Sequence, residues 1–404
     1  MTCLHYGQQS SIEIDIPADI VIGELGVPRG KPLDDLESAV QNALAQPIDY
    51  PTLAESTTPA DHIVLALDYG IPQAAKFVAT VVHALIEAGV DPDGITILQS
   101  PADAEADGRD PRRMIRATLR DRIQRIIHDP DDRRQLAYLA ANEAGEAIMM
   151  NRAIHEADVV IPIGCIRPEE SAGYFGIHSG IFPVFSDTKT IHRFRGLGSL
   201  NGHGKQRQEL TAEVNNVGWL LGVNFTIQIV PAAGDGVLHV LAGQTESVRQ
   251  RGQEHYRAAW SCSADRRADL IVAAIEGAAQ QTWENVGRAL NSASHFAAED
   301  AAIVVCSDLS ARPGPGLQRM AASDSLESAL RHVGKDRPSD ALPAAQIARA
   351  MQQYKIYLLS RLDPTIIEDL NIVPVADADE LQRLIRQHQS CIVLPNAPYI
   401  AVTE

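Results

Sequence analysis

Short, unbroken apolar runs, each followed by a segment with helical spacing, constrain this chain more than any other feature. Ile63-Val64-Leu65-Ala66-Leu67 is such a run, and it suits a strand buried on both faces of a parallel sheet. Asp68-Tyr69-Gly70 ends it. From Ala74 to Ala88, Phe77, Val78, Val81, Val82, Leu85 and Ile86 recur at helical spacing, and Gly89 supplies the stop. Ile95-Thr96-Ile97-Leu98 is the next run. A strand, a crossover helix and a second strand make a βαβ unit, whose connection favours parallel pairing.

The alternation recurs along the chain. Val159-Val160-Ile161-Pro162-Ile163 reads as a further strand. Val223, Phe225, Ile227 and Ile229 alternate as another, with Val237 to Leu241 as its hairpin partner. Asp110-Pro111 has the chemistry of a helix start, and Ile115, Leu119, Ile123, Ile126 and Ile127 would form that helix's buried face. Near residue 263 a second block begins. Its strands are read at Leu270 to Ala274, Ala302 to Cys306, Ile356 to Leu359 and Cys391 to Leu394. Its helices are read at Trp283 to Phe296, Ala344 to Tyr354 and Ala378 to His388. The fold class expected is α/β: two domains with mainly parallel sheets and a cleft between them. The first spans 1–262, rejoined by about 396–404, and the second spans 263–395. Ligands of such sheets lie beyond the carboxyl ends of the strands. Asp68 and the segments after Ile163, Ala274 and Cys306 should therefore converge.

Charge and composition exclude several function classes. The formal net charge is −17, which disfavours phosphate backbones and anionic lipid surfaces; no nucleic-acid or membrane partner is expected. No apolar run approaches the roughly 18–20 residues of a membrane span. The opening Met1 to Tyr6 lacks the basic and apolar regions of a signal peptide. The five cysteines are scattered without a Cys-x-x-Cys pair, which fits reduced thiols in a cytoplasmic protein. The arginines between Arg112 and Arg125 lie among aspartates, as on a solvated face. Gly196 to Gly202 has the wrong spacing for a dinucleotide loop, and Gly176 to Gly180 has its serine one place late for a nucleophile elbow. His178, His192 and His203 share one long loop-rich stretch, from Gly164 to His203. Convergence on a metal cannot be read from their spacing, and no metal site is expected.

The segment Ile163-Gly164-Cys165-Ile166-Arg167-Pro168-Glu169-Glu170-Ser171-Ala172-Gly173-Tyr174-Phe175-Gly176 resembles the nickel-dependent lactate racemase family. The likeness continues without a gap through Ile181-Phe182-Pro183 to Lys189-Thr190-Ile191. Leu67-Asp68-Tyr69-Gly70-Ile71-Pro72 is similar to an early element of that family, and Arg288-Ala289-Leu290-Asn291-Ser292-Ala293 to a helix of its second domain. The resemblance implies an enzyme that inverts the hydroxyl-bearing carbon of a 2-hydroxy acid. It also implies a nickel pincer nucleotide attached to a lysine, hydride transfer to that cofactor and a histidine base.

Carried over residue by residue, the chemistry is altered. The lysine position holds Ser179, which offers no amine. A site histidine is replaced by Glu169. The nickel-ligand histidine falls at Arg195, a permanent cation. The arginine after the first strand falls at Ile71, and Ser100 to Asp103 contains no histidine where a base is expected. Asp68 is retained, and the second domain's glutamine and lysine appear as Asn285 and Arg288. The expectation is a racemase or epimerase-type enzyme for a small 2-hydroxy acid or related carboxylate, without the covalent pincer. The alternative is a non-catalytic small-anion binder or sensor. Candidate catalytic residues are Asp68, Glu169 and His178, lining one polar pocket. Candidate substrate-binding residues are Arg288, Asn285, Ser179 and Arg195, with Arg288 facing the cleft.

Overall fold

Each face of the strand Ile63–Leu67 meets a different layer, and that alternation organises the first half of the chain. Leu65 and Leu67 pack with Phe77, Val81 and Leu85 of the helix Ala74–Glu87. Val64 and Ala66 point the other way, into Phe182, Phe185, Phe194, Val214 and Val217. All five strand residues are buried, as a strand covered on both sides requires. The computed structural model describes residues 2–102, 104, 110–196, 204–323, 325–336 and 338–403.

Six strands form this first sheet, in the order Val237–Gln244, Phe225–Pro231, Val159–Cys165, Ile63–Leu67, Ile95–Gln99 and Gln124–Ile127. The first pair is the expected antiparallel hairpin, and the other pairs are parallel. A second six-stranded sheet is parallel throughout, in the order Val373–Pro374, Lys355–Leu359, Ala297–Cys306, Ala268–Ala274, Cys391–Leu394 and Val21–Glu24. Ile271 and Ala273 pack on Val286 and Leu290 of the helix Trp283–Phe296. Leu270 and Val272 face Leu4, Ile12 and Ile14 of an N-terminal hairpin, Thr2–Tyr6 and Ser10–Ile14. The α/β class with mainly parallel sheets is thus the fold observed. The start of the chain joins the second sheet, an arrangement its sequence position does not disclose.

The helix read from Asp110 is not formed. Asp110 does cap a turn, Pro111–Met114, by accepting from the Arg112 amide. After one short turn at Ala117–Arg120, the chain enters the edge strand Gln124–Ile127, parallel to Ile95–Gln99. Ile115 and Ile123 are buried as expected, whereas Ile127 is exposed. The β-branched pair Ile126-Ile127 gains ladder hydrogen bonds at the open sheet edge, which outweighs a weak helical period. The arginines here pair locally, Arg112 with Asp110 and Arg122 with Asp91 and Asp93.

Candidate functional site

Three polypeptide segments meet between the two sheets. After the strand Ile63–Leu67 come Asp68, Tyr69 and Gly70. After Val159–Cys165 come Arg167, Pro168 and Ser171. After Ala268–Ala274 the chain passes through Gln280 into the helix that carries Asn285 and Arg288. Gly70, Arg167, Pro168, Ser171, Gln280, Asn285 and Arg288 line one small cavity of about 20 Å³, closed by Tyr256, Pro398, Tyr399 and Cys165. Such a volume admits one or two water-sized atoms.

A hydrogen-bonded chain orients Arg288. The Gln280 amide donates to the Gly70 carbonyl at 3.3 Å, which ties one sheet to the other. The Asn285 amide donates to the Gln280 carbonyl and to its Oε1, both at 2.9 Å. Arg288 Nη1 then donates to Asn285 Oδ1 at 3.0 Å. Asn285 is thereby locked with its oxygen toward the guanidinium, and Thr282 caps the helix beneath it. Among the described residues, Arg288 has no carboxylate partner. Burial pushes its pKa down, and the nearby Arg167 charge pushes it further in the same direction. An arginine stays charged under such a push, so an anion in the cavity would relieve both costs.

Arg167 Nη2 donates to the Tyr69 carbonyl at 3.0 Å and lies 3.4 Å from Asp68 Oδ2. Glycines at 164 and 180 make room for Asp68, since a Cβ at either would stand 3.3 Å from its Cβ. The loop after Arg167 is held from outside. The buried Arg207 donates to the carbonyls of Glu169, Ser171 and Tyr174, and its guanidinium lies over the Phe175 ring.

The residues singled out from sequence divide between the cavity and its surroundings. Arg288 and Asn285 line it, and Asp68 is joined to it through Arg167. Glu169 does not line it; its carboxylate is paired with Arg249 and Arg257, each at 2.9 Å. His178 packs against Gly218, and burial pushes its pKa down to about 4. It therefore stays neutral near pH 7, in contrast to the titration near neutrality that an exposed loop histidine would have. Its Nδ1 and the Tyr174 hydroxyl are buried without a hydrogen-bond partner among the described residues. Ser179 is buried, and its hydroxyl accepts from the Phe175 amide at 2.7 Å. Arg195 donates to the Ser339 carbonyl at 2.7 Å. His203 and most of the 196–202 glycine-rich stretch lie outside the described residues. Among the described residues no three His, Cys, Asp or Glu side chains converge as a metal site needs, and all five cysteines are free. Arg167, Gln280, Tyr256 and Tyr399 were not singled out from sequence. Only Arg167 had a local signal, a cation two residues beyond a buried strand end.

Residues 6–206 match the family model for the lactate racemase N-terminal domain. The chain belongs to the lactate racemase-like family. Over the full length of both chains, its fold is similar to that of the lactate racemase apoprotein from Thermoanaerobacterium thermosaccharolyticum, with a TM-score of 0.77 at 16% identity and 100% coverage of each. A protein from Thermotoga maritima is also similar, with a TM-score of 0.66 and 14% identity over 93% of this chain and 99% of that one. No curated protein matches the sequence. In this lactate racemase-like chain no helix among the described residues is long and apolar enough to cross a membrane.

Proposed function

We propose that this member of the lactate racemase-like family binds a small carboxylate, a 2-hydroxy acid or a close relative, between its two sheets. The observation that carries the reading is Arg288: a guanidinium oriented by Asn285, turned to a cavity it shares with Arg167, and without a carboxylate partner among the described residues. Two guanidiniums around a space for one or two oxygen atoms match a carboxylate group.

The nickel pincer nucleotide of the family does not fit these residues. Ser179 has no amine for the covalent link, and its hydroxyl is engaged by Phe175. Arg195 has no lone pair to give a metal. Co-expression with the enzymes that make the pincer should leave the intact mass at that of the bare chain, and an adduct of nucleotide mass would overturn this part of the reading.

Binding without turnover is the form the cavity supports best. Its lining holds no group ready to accept a proton near neutrality: burial pushes the Cys165 thiol up to about 12 and both tyrosines upward too. A racemase or epimerase-type reaction is the second reading, favoured by Asp68, the carboxylate held beside the cavity by Arg167. Calorimetric titration with L-lactate tests the binding. Arg288→Met should weaken it tenfold or more, because a hydrogen bond to a charged group contributes about 1.5–3 kcal/mol. Chiral chromatography of the same samples separates the readings: appearance of the D-isomer, lost in Asp68→Asn, would favour catalysis.

A further inference from the structure

We infer that the ligand is a polyhydroxylated acid of about five or six carbons, a sugar acid, whose tail occupies a second cavity adjoining the carboxylate cradle. This deepens the carboxylate reading above and rests on it. The second cavity measures about 130 Å³, against about 20 Å³ for the first, and both are bounded by Pro168, Ser171, Arg288 and Pro398. A cavity of roughly 150 Å³ accommodates a six-carbon ring. Lactate, with its carboxylate on Arg167 and Arg288, would project only a two-carbon fragment into this space and leave most of it to water.

One helix forms the wall that joins the two cavities. Arg288, Asn291, Ser292 and His295 all border the larger one, at i, i+3, i+4 and i+7 of Trp283–Phe296, so they share one face. At about 1.5 Å per residue, Arg288 to His295 spans roughly 10 Å along the helix axis. An extended six-carbon acid fits within that length.

The lining also sets the chemistry of the tail. Ser171, Asn291, Ser292 and Gln346 border the cavity, and among the described residues their side chains make no hydrogen bond to protein. Ser292 is nonetheless only 6% exposed. These groups are neutral and offer both donors and acceptors, as hydroxyls do. Pro168, Ala172, Pro398, Ile400, Ala401 and Val402 complete the lining, so the carbon skeleton of the tail has apolar contacts. An alkyl tail would nonetheless strip water from the four polar groups and give them no hydrogen bond in return, a penalty that disfavours apolar analogues. Among the described lining residues a second anion would find no permanent cation beyond Arg288, since burial and the nearby Arg267 charge lower the pKa of His295. Among the same described residues a tail ammonium would find only Glu170, which is exposed at the rim.

Calorimetry on the full chain with three probes tests this: gluconate, L-lactate and hexanoate. Gluconate is expected to bind at least tenfold tighter than either of the others, and Arg288→Met to weaken it at least tenfold. Gln346→Leu and Ser292→Ala should each narrow the gap between gluconate and lactate at least threefold; two variants guard against one that folds poorly. If lactate binds through Arg288 and gluconate no tighter, the tail inference fails while the carboxylate reading stands. Tighter binding of hexanoate than of gluconate overturns the polar tail. If no acid binds, both readings fall together.

Discussion

His178 illustrates how one residue type acquires a new meaning from its surroundings. In an exposed loop its pKa would stand near 6.5; here burial lowers it to about 4. Between those values the unfolded chain binds a proton that the folded chain refuses, so stability rises with pH across that window. The contribution is complete above about pH 6.5 and is lost as the pH falls toward 4, on the order of 3 kcal/mol in all. His178→Phe keeps a ring in place and removes the titration. Urea unfolding at pH 7 and pH 4.5 should give a smaller drop in stability for the variant than for the parent. Some slope will persist in both, because burial also lowers His128, His239 and His295. Equal drops would refute the assignment. Arg288 obeys the same logic with a different outcome: too basic to discharge, it stays cationic and is available to an anion.

Elements meet here through small residues at close approaches. The helix Lys205–Leu220 crosses the turn Ile177–Gly180 at Gly218, where a Cβ would stand 2.6 Å from the His178 ring. Gly218→Ala would gain roughly 1 kcal/mol of helix propensity but force the turn and helix apart, at a cost of about 1–3 kcal/mol. A net loss of stability is expected in chemical denaturation, and His178→Ala in the same chain should recover part of it. Gain of stability by the single variant would contradict the packing. The helix Lys205–Leu220 was not legible in the sequence, since only Arg207, Leu210, Val214, Val217 and Gly218 are buried along it. The helix Trp283–Phe296 was legible to the residue, because its buried face is continuous and Thr282 caps it. The failed reading from Asp110 shows the converse: apolar spacing can imitate a helix where a sheet edge is free to pair.

At the scale of the molecule, the cavity exists because two sheets present their carboxyl ends to each other. Gln280 links them, reaching Gly70 on one side and Asn285 on the other. Tyr69 adds a second tie, from its hydroxyl to the Ala279 carbonyl at 3.0 Å. A ligand held from both sides should stabilise the whole chain. At a hundredfold excess over Kd, linkage contributes about 2.7 kcal/mol, a rise in Tm of several degrees in differential scanning fluorimetry. Gln280→Met should lower the Tm without ligand and shrink that rise, because Asn285 would lose the acceptor that fixes it. A full-sized rise in the variant would show that Gln280 plays no part in orienting Arg288.

Local chemistry by itself determined the α/β class and, apart from the edge strands Gln124–Ile127, Val373–Pro374 and Val21–Glu24, the strands of both sheets, since buried parallel strands and their crossover helices leave dense apolar patterns. The family resemblance marked Asp68, Asn285 and Arg288. What the tertiary structure decided was which polar groups meet. Glu169 was drawn outward by Arg249 and Arg257, some 80 and 88 positions away in sequence, and Arg167 was brought against Arg288. The N-terminal strand Val21–Glu24 joined a sheet whose other members begin at Ala268. Such pairings follow from burial and charge balance summed over distant segments, and no local period or spacing records them.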